Sequence, residues 1–248
     1  MIPAGEVRLG SYALDRLRLG GTRWIALAGG RQGVGVTTLV ALLAVVAATR
    51  GVRALVVETE AGPSPLADLL GAGPAGAPAM RSRTGVGYLP AGAGAVPEGF
   101  DLVLVDAGWR LERVLAACAG TVERVVVVTT GGRASVSASY GLLKAVETRF
   151  PGMRFDVVVN REDPRLAPEL FGHLQAAALG YLRRALTLAG TVPDDPCLRA
   201  GTRGGMTVKD AAVESDLWSA AETILDRVLD GPVPPRATAA DPRHLIGT

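Results

Sequence analysis

Residues 23–49 read RWIALAGGRQGVGVTTLVALLAVVAAT, and this stretch decides the fold class. Residues 23–28 form a short apolar run typical of a buried strand, residues 29–38 are rich in glycine, and a helix is predicted from Thr37 to Thr49. A glycine-rich turn between a strand and a helix can present successive backbone N–H groups to a phosphate. The stretch therefore predicts a strand–turn–helix unit and raises the question of whether its turn binds phosphate.

The rest of the chain alternates between strand-like and helix-like segments. Runs rich in β-branched residues occur at 53–58, 101–107, 124–130, 154–160 and 185–193, and helical spacing occurs at 134–149, 165–179 and 215–229. Such alternation predicts parallel βαβ units, and therefore an α/β fold of three layers around a mostly parallel sheet. We expect one domain over 21–230, an N-terminal extension over 1–20 with a short helix at 12–19, and a disordered tail over 231–248, which has little apolar surface to bury.

Charge and hydropathy exclude several classes of function. The formal net charge is +2, from 26 basic and 24 acidic residues, and no block of five or six like charges occurs, so the sequence gives no strong nucleic-acid signal. The most apolar stretch, Leu39–Ala48, is about half as long as the ~20 residues that span a bilayer. Because the N-terminus also lacks a signal-peptide pattern, we expect a cytoplasmic protein, and buried thiols at Cys118 and Cys197.

The predicted last helix, 215–229, has one apolar stripe and an opposite face that carries Glu222, Asp226 and Asp230. Helices that lie on a membrane surface usually carry basic residues on the polar face. We therefore predict that this helix packs on the protein core and that the chain has no membrane-binding helix of its own.

The glycine-rich turn matches a phosphate-binding loop except at one position. Gly30 and Gly35 have the required spacing, and Thr37 takes the place of the hydroxyl that binds Mg²⁺. Asp106 ends an apolar strand, where such proteins place the acidic residue that holds Mg²⁺ through water. The position of the phosphate-binding lysine is occupied by Val36, so from these residues alone a turn without function stays open.

Several segments together resemble one protein family. Four segments are similar, in order and spacing, to the MinD/ParA type of P-loop ATPase: residues 29–71, VERVVVVTTGGRASVSASYGLLKAV (122–146), VVVNR (157–161) and TVPDDPCLRAG (191–201). Within that type the sequence resembles the FlhG-like regulators of flagellar number and placement. The resemblance implies the P-loop NTPase fold and a site for ATP or ADP with Mg²⁺.

The resemblance also implies roles for individual residues. The positions that match the family's phosphate loop are Gly30, Gly33, Val34, Gly35, Thr37 and Thr38, with Asp106 on the Mg²⁺ side. The positions that fall where the family holds adenine are Asn160, Arg161, Pro193 and Asp194.

Three positions depart from the family pattern. Arg31 stands where the family has a signature lysine that reaches the partner's phosphates in an ATP-bridged dimer, and arginine keeps the charge. Glu60 replaces the aspartate that orients the attacking water, and the longer arm misplaces that water. Val36 removes a charge-assisted bond to phosphate, so we expect nucleotide and Mg²⁺ to be held weakly or not at all. Trp109, next to a turn where the family has small residues, is predicted to pack in the protein rather than to stack on a base.

The sequence therefore predicts a regulator with a degenerate nucleotide site, a pseudo-ATPase that acts through a protein partner in the flagellar or cell-pole machinery. Its partner contacts are expected on helices 134–149 and 165–179, and the resemblance allows a homodimer. The alternative is an active ATPase switch in which Arg31 supplies the missing charge, in cis or in trans. A third interpretation is a DNA-associated ParA-like or RecA-like protein, which a net charge of +2 does not favour.

Overall fold

The computed structural model describes residues 21–61, 65–73, 77–78, 81–212 and 215–230. The predictions for the N-terminal extension and for the C-terminal tail lie outside the described residues.

The sheet has seven strands in the order β3-β2-β4-β1-β5-β6-β7, and every neighbouring pair is parallel. The strands are β1 (Arg23–Gly29), β2 (Ala54–Glu58), β3 (Gly87–Leu89), β4 (Leu102–Asp106), β5 (Arg124–Thr129), β6 (Arg154–Asn160) and β7 (Thr187–Val192). Since β1 lies between β4 and β5, the loops after these three strands meet at one edge of the sheet, where ligands of open α/β sheets bind. The predicted α/β class and parallel sheet are confirmed.

Helices cover both faces of the sheet. They are α1 (Val36–Thr49), α2 (Leu66–Leu70), α3 (Leu111–Cys118), α4 (Arg133–Arg149), α5 (Ala167–Ala177), α6 (Pro196–Arg203), α7 (Val208–Ala212) and α8 (Asp216–Leu229), with a π-helical turn at Ala178–Leu182 after α5. Residues of α1 and α8 share one buried cluster, and residues of α3, α4 and α5 share another. The architecture is therefore three-layered.

Successive side chains along a strand point to opposite faces of the sheet, so a buried strand can contribute residues to both clusters. In β1, Ile25 and Leu27 belong to the cluster under α1 and α8, whereas Ala26 and Ala28 belong to the cluster under α3, α4 and α5. This is the period of two that a strand buried on both faces requires. Helix α1 is buried at every residue from Leu39 to Ala47, as expected of a helix that is apolar all round.

The last helix packs on the core as predicted. Its apolar stripe is buried against α1 and β7 and comprises Leu217, Ala221, Ile224, Leu225 and Val228. None of the helices in the described ranges is long and apolar enough to span a membrane.

Two sequence expectations about single elements are corrected by the structure. Cys118 is buried, but Cys197 is exposed on α6, so the expectation of two buried thiols is wrong for Cys197. Helix α6 was not predicted, although Asp195 caps it by accepting hydrogen bonds from the backbone N–H groups of Cys197 and Leu198, at 2.7 and 3.0 Å. An aspartate directly before Pro196 was the available signal, because proline favours the first position of a helix.

Candidate functional site

The glycine-rich turn joins β1 to α1 and is pinned by the end of β6. Gly33 and Gly35 have φ angles of 81° and 92°, a left-handed conformation that glycine adopts without steric cost. The Asn160 side-chain amide donates to the Val34 carbonyl oxygen at 2.7 Å, and Arg161 donates to the Gly33 carbonyl oxygen at 2.5 Å. These two bonds bring the predicted adenine-side residues against the predicted phosphate loop.

The start of the loop lies directly on helix α4. A Cβ added at Gly30 would overlap the backbone of Ala138 and Ser139. A Cβ added at Gly35 would overlap the Asn160 amide. Both glycines are therefore required by the packing of the loop, whether or not a phosphate binds there.

Thr37 and Asp106 meet at the base of the loop. The Thr37 side chain is hydrogen-bonded to the Asp106 carboxylate, and the Gly108 backbone N–H donates to the same carboxylate at 3.1 Å. Burial raises the pKa of the Asp106 carboxyl to about 6, although both hydrogen bonds lower it; the nearby Glu58 and Glu60 raise it further. A hydroxyl and a carboxylate in contact are the pair that would hold Mg²⁺ beside a phosphate.

Val36 gives the loop an apolar side chain where a cation was expected. Its side chain is 6% exposed and belongs to the core cluster that includes Val34 and Leu39. It also lines a cleft of about 320 Å³ between the loop and the carboxyl ends of β2 and β4. The wall of this cleft therefore lacks a charge at the position nearest the helix start.

A second carboxylate lies beside Asp106 and was not predicted. Glu58 ends β2 directly opposite Asp106, is buried, and lines the same cleft. The Tyr88 hydroxyl donates to the Glu58 carboxylate. Burial and this bond raise the pKa of Tyr88. The signal was available, because Glu58 ends the apolar run 53–58 and lies two residues before Glu60, which was singled out.

Glu60 is held at the mouth of the cleft by residues that follow β4. Its carboxylate Oε1 lies 3.2 Å from Nε of Arg110. The Thr59 hydroxyl donates to the Asp106 carbonyl oxygen at 2.8 Å, and Arg113 donates to the Thr59 carbonyl oxygen. The segment 58–60 is thus tied to the segment 106–113.

Trp109 lies on the cleft wall, and the prediction that it packs inside the protein is wrong. Its side chain is 39% exposed, and the Arg110 guanidinium carbon lies 5.3 Å from the centroid of its ring. An arginine over a tryptophan face is a cation–π arrangement. Arg31 lines the same cleft and is exposed.

A second cleft of about 250 Å³ lies on the other side of the loop. It is lined by apolar side chains, among them Leu39, Leu42 and Leu198, and by the predicted adenine-side positions Asn160, Arg161, Pro193 and Asp194. Gly33, Gly35 and Thr38 line both clefts. An apolar slot with a few polar groups, joined by a backbone loop to a polar cleft, has the composition of a nucleotide site.

The described residues fit a nucleotide in part. The loop backbone, the Thr37–Asp106 pair and the apolar second cleft fit a phosphate, a divalent cation and a base. The Val36 position does not fit a phosphate, because an apolar side chain cannot neutralise the negative charge of a multiply charged phosphate group.

The fold and one curated relative support the family resemblance, while no family model matches the chain. The relative, "Antiactivator FleN" from Pseudomonas aeruginosa, is 24% identical over 89% of this chain and 90% of its own length. A chain of the Aquifex aeolicus "MinC:MinD cell division protein complex" superposes with a TM-score of 0.68 and 17% identity, over 87% of this chain and 99% of that one. The "septum site-determining protein MinD complexed with Mg-ADP" from Pyrococcus horikoshii gives 0.64 and 20%, over 84% and 96%. The predicted resemblance is therefore confirmed: the chain has the fold of the MinD/ParA-type P-loop ATPases and is similar in sequence to an FlhG-like antiactivator.

Proposed function

We propose that this chain is a cytoplasmic FlhG/MinD-like spatial regulator, of flagellar assembly or placement, that acts mainly as a protein-binding module. Its nucleotide site is degenerate: it holds ATP or ADP weakly and hydrolyses ATP very slowly or not at all. The observation that carries this proposal is the buried Val36 in the wall of a cleft that also contains the glycine-rich loop, Thr37 and Asp106.

The residues that would hold the nucleotide are distributed over both clefts. The backbone of Gly33, Val34 and Gly35 would face the phosphates, with Thr38 between the two clefts, and Thr37 and Asp106 would hold Mg²⁺. Gly30, which was predicted to belong to the phosphate loop, lines neither cleft and instead packs against the backbone of α4. Asn160, Arg161, Pro193 and Asp194 would border the base. Bound Mg²⁺ would supply charge compensation to the phosphates, which the cleft itself provides poorly.

Weak hydrolysis follows from two side chains. Val36 cannot form the charge-assisted hydrogen bond to phosphate that a lysine would form. Glu60 has one methylene more than aspartate, and its carboxylate is engaged by Arg110 rather than free to orient a water. Because displacements of about 1 Å can lower rates by about 10²-fold, both features act against turnover.

Two observations support protein binding: the names of similar proteins and the exposed apolar side chains of this chain. One relative is named an antiactivator, and one solved neighbour is a complex of MinD with MinC. The segment from the residue before α5 to the following π-helical turn exposes Leu166, Leu179 and Tyr181, and Tyr181 is 81% exposed. Leu166 and Leu179 lie in the predicted helix 165–179 and Tyr181 lies just beyond it, so exposed apolar side chains of this size fit the partner contacts proposed for that segment. The exposed large apolar side chains in the described ranges include none from the other predicted contact helix, 134–149. The partner belongs to the flagellar or cell-pole machinery in this proposal, and a second copy of the chain is the other partner that the resemblance implies.

An active ATPase is the second candidate, because Arg31 lines the phosphate cleft and could replace the missing charge. The two candidates differ in turnover. We expect purified protein to release no phosphate from Mg-ATP above the background of an Asp106→Ala variant, at any protein concentration. Turnover that the Asp106→Ala change abolishes would overturn the pseudo-ATPase proposal and favour the switch that uses Arg31.

A further inference from the structure

The phosphate cleft carries an unusual excess of acidic groups. Among the described residues that line it, the carboxylates are Glu58, Glu60 and Asp106, and the cationic side chain is Arg31. A polyphosphate in this cleft would therefore meet more like charge than opposite charge. Beside any Mg²⁺ held by Thr37 and Asp106, a further side-chain cation within reach would favour binding, since Val36 supplies none.

Arg110 is a cation placed at the mouth of the same cleft. Its Nε lies 3.2 Å from the Glu60 carboxylate, and its guanidinium lies over the ring of Trp109. Both Glu60 and Trp109 line the cleft. Each of these contacts holds the guanidinium beside the cleft, where the Arg110 side chain stays about half exposed.

We propose that Arg110 is a phosphate-binding residue that exchanges its Glu60 partner for a phosphate group and so replaces the charge missing at Val36. This inference rests on the proposed nucleotide site. The exchange is favourable because the Arg110–Glu60 pair is about half exposed on both sides, and exposed ion pairs contribute little to stability. The planar guanidinium binds two phosphate oxygens at once, and the Trp109 ring limits the positions it can take.

Glu60 then has an inhibitory role in this chain. Its carboxylate holds Arg110 in the absence of phosphate and repels phosphate by its own charge. Removing the Glu60 charge should therefore strengthen phosphate binding, and removing the Arg110 charge should weaken it. Opposite signs for the two members of one ion pair would not arise if the pair only held two loops together.

The test is calorimetric titration of the full chain with Mg-ATP and, separately, with inorganic tripolyphosphate. The variants are Arg110→Ala, Glu60→Gln and their combination. The control is Arg165→Ala, which removes an exposed arginine from its ion pair with Asp163 in the loop after β6. We expect Arg110→Ala to weaken both ligands about 10-fold or more, since a charge-assisted bond corresponds to that factor, and Glu60→Gln to tighten them several-fold. The control should bind like the wild type.

The combined variant separates direct contact from an indirect effect. If Arg110 touches phosphate, Arg110→Ala still weakens binding in the Glu60→Gln background. A loss seen only when Glu60 is intact would show that Arg110 acts by restraining Glu60 and would overturn the inference. Wild-type binding that Arg110→Ala leaves unchanged would overturn the inference alone. A wild type that binds neither ATP nor tripolyphosphate would overturn the proposed nucleotide site and the inference with it.

Discussion

Replacing Val36 by lysine is the most direct test of whether the glycine-rich loop is a phosphate cradle. Val36 begins α1, lines the cleft, and is followed by Thr37, whose side chain contacts Asp106. The rest of the cradle is in place around it. The substitution therefore adds a single cation to a site whose backbone and metal-side groups stay the same.

The expected gain in ATP affinity can be estimated from the contact that the lysine would add. A hydrogen bond between a charged donor and a phosphate contributes roughly 1.5–3 kcal/mol, which corresponds to roughly 10- to 150-fold in affinity. Val36→Lys also removes a buried valine from the core cluster, so the variant should unfold more easily without ligand. Val36→Met is the matched control, because it has an unbranched side chain of similar length and no charge.

Calorimetric titration with Mg-ATP measures the gain, and circular dichroism establishes that each variant is folded. We expect Val36→Lys to bind at least 10-fold more tightly than both the wild type and Val36→Met. Hydrolysis should remain slow in Val36→Lys and recover in part when Glu60→Asp is added, because the shorter carboxylate can then orient a water. A folded Val36→Lys variant that binds ATP no better than Val36→Met would refute the reasoning, and the loop would be a turn without a phosphate site.

Three further changes test other parts of the structure. The pKa of Asp106 is about 6 in the folded chain against 3.8 for an ordinary aspartate, so the folded state holds more protons than the unfolded state between these values. The free energy of unfolding should therefore fall as pH rises from about 4 to 6, by up to roughly 3 kcal/mol. In urea unfolding, the Asp106→Asn variant should lack this pH dependence and should be more stable than the wild type at pH 7.5. Gly30→Ala should destabilise by roughly 1–3 kcal/mol, because its Cβ overlaps the α4 backbone at Ala138. Gly141→Ala in the same helix, where the added Cβ meets nothing, should stabilise by up to about 1 kcal/mol, and equal effects of the two changes would contradict this. Because the loop holds ATP poorly, Mg-ATP should leave the oligomeric state unchanged in light scattering, whereas a dimer that forms only with ATP and is lost in Arg31→Ala would contradict the pseudo-ATPase proposal.

Strong periodic patterns predicted most of the fold, and side-chain contacts over long sequence separations could not be predicted. The six longer strands were found because a buried parallel strand is a continuous run of valine, leucine and alanine between turn residues. Helix α3, which has eight residues, was not predicted. The short helices α2 and α7 were missed, since five residues give no period to detect. The pairing of Glu60 with Arg110 joins residues 50 positions apart and depends on the order of β2 and β4 in the sheet.

Some residues of the candidate site were predicted and others were missed, because local spacing can be detected in a sequence and contacts between distant segments cannot. The loop, Thr37 and Asp106 were singled out because local spacing fixes their positions at strand and helix ends. Glu58 was missed, although the register places it opposite Asp106. Trp109 was misjudged because a large aromatic side chain is usually buried, whereas here it forms part of an open wall.

The glycines of the loop are weaker support for phosphate binding than their pattern suggests. Gly30 is required by the α4 backbone and Gly35 by the Asn160 amide, so packing alone would retain both in a chain that binds no nucleotide. Asp106 also accepts a hydrogen bond from the Gly108 backbone N–H, but packing explains the Thr37–Asp106 pair less well, because burial opposes an ionised carboxylate at that place and raises its pKa. A purely structural turn would be more stable with an apolar pair there. The polar pair, rather than the glycine pattern, is therefore the feature that favours a retained site for Mg²⁺ and phosphate, and Val36 is the feature that weakens it.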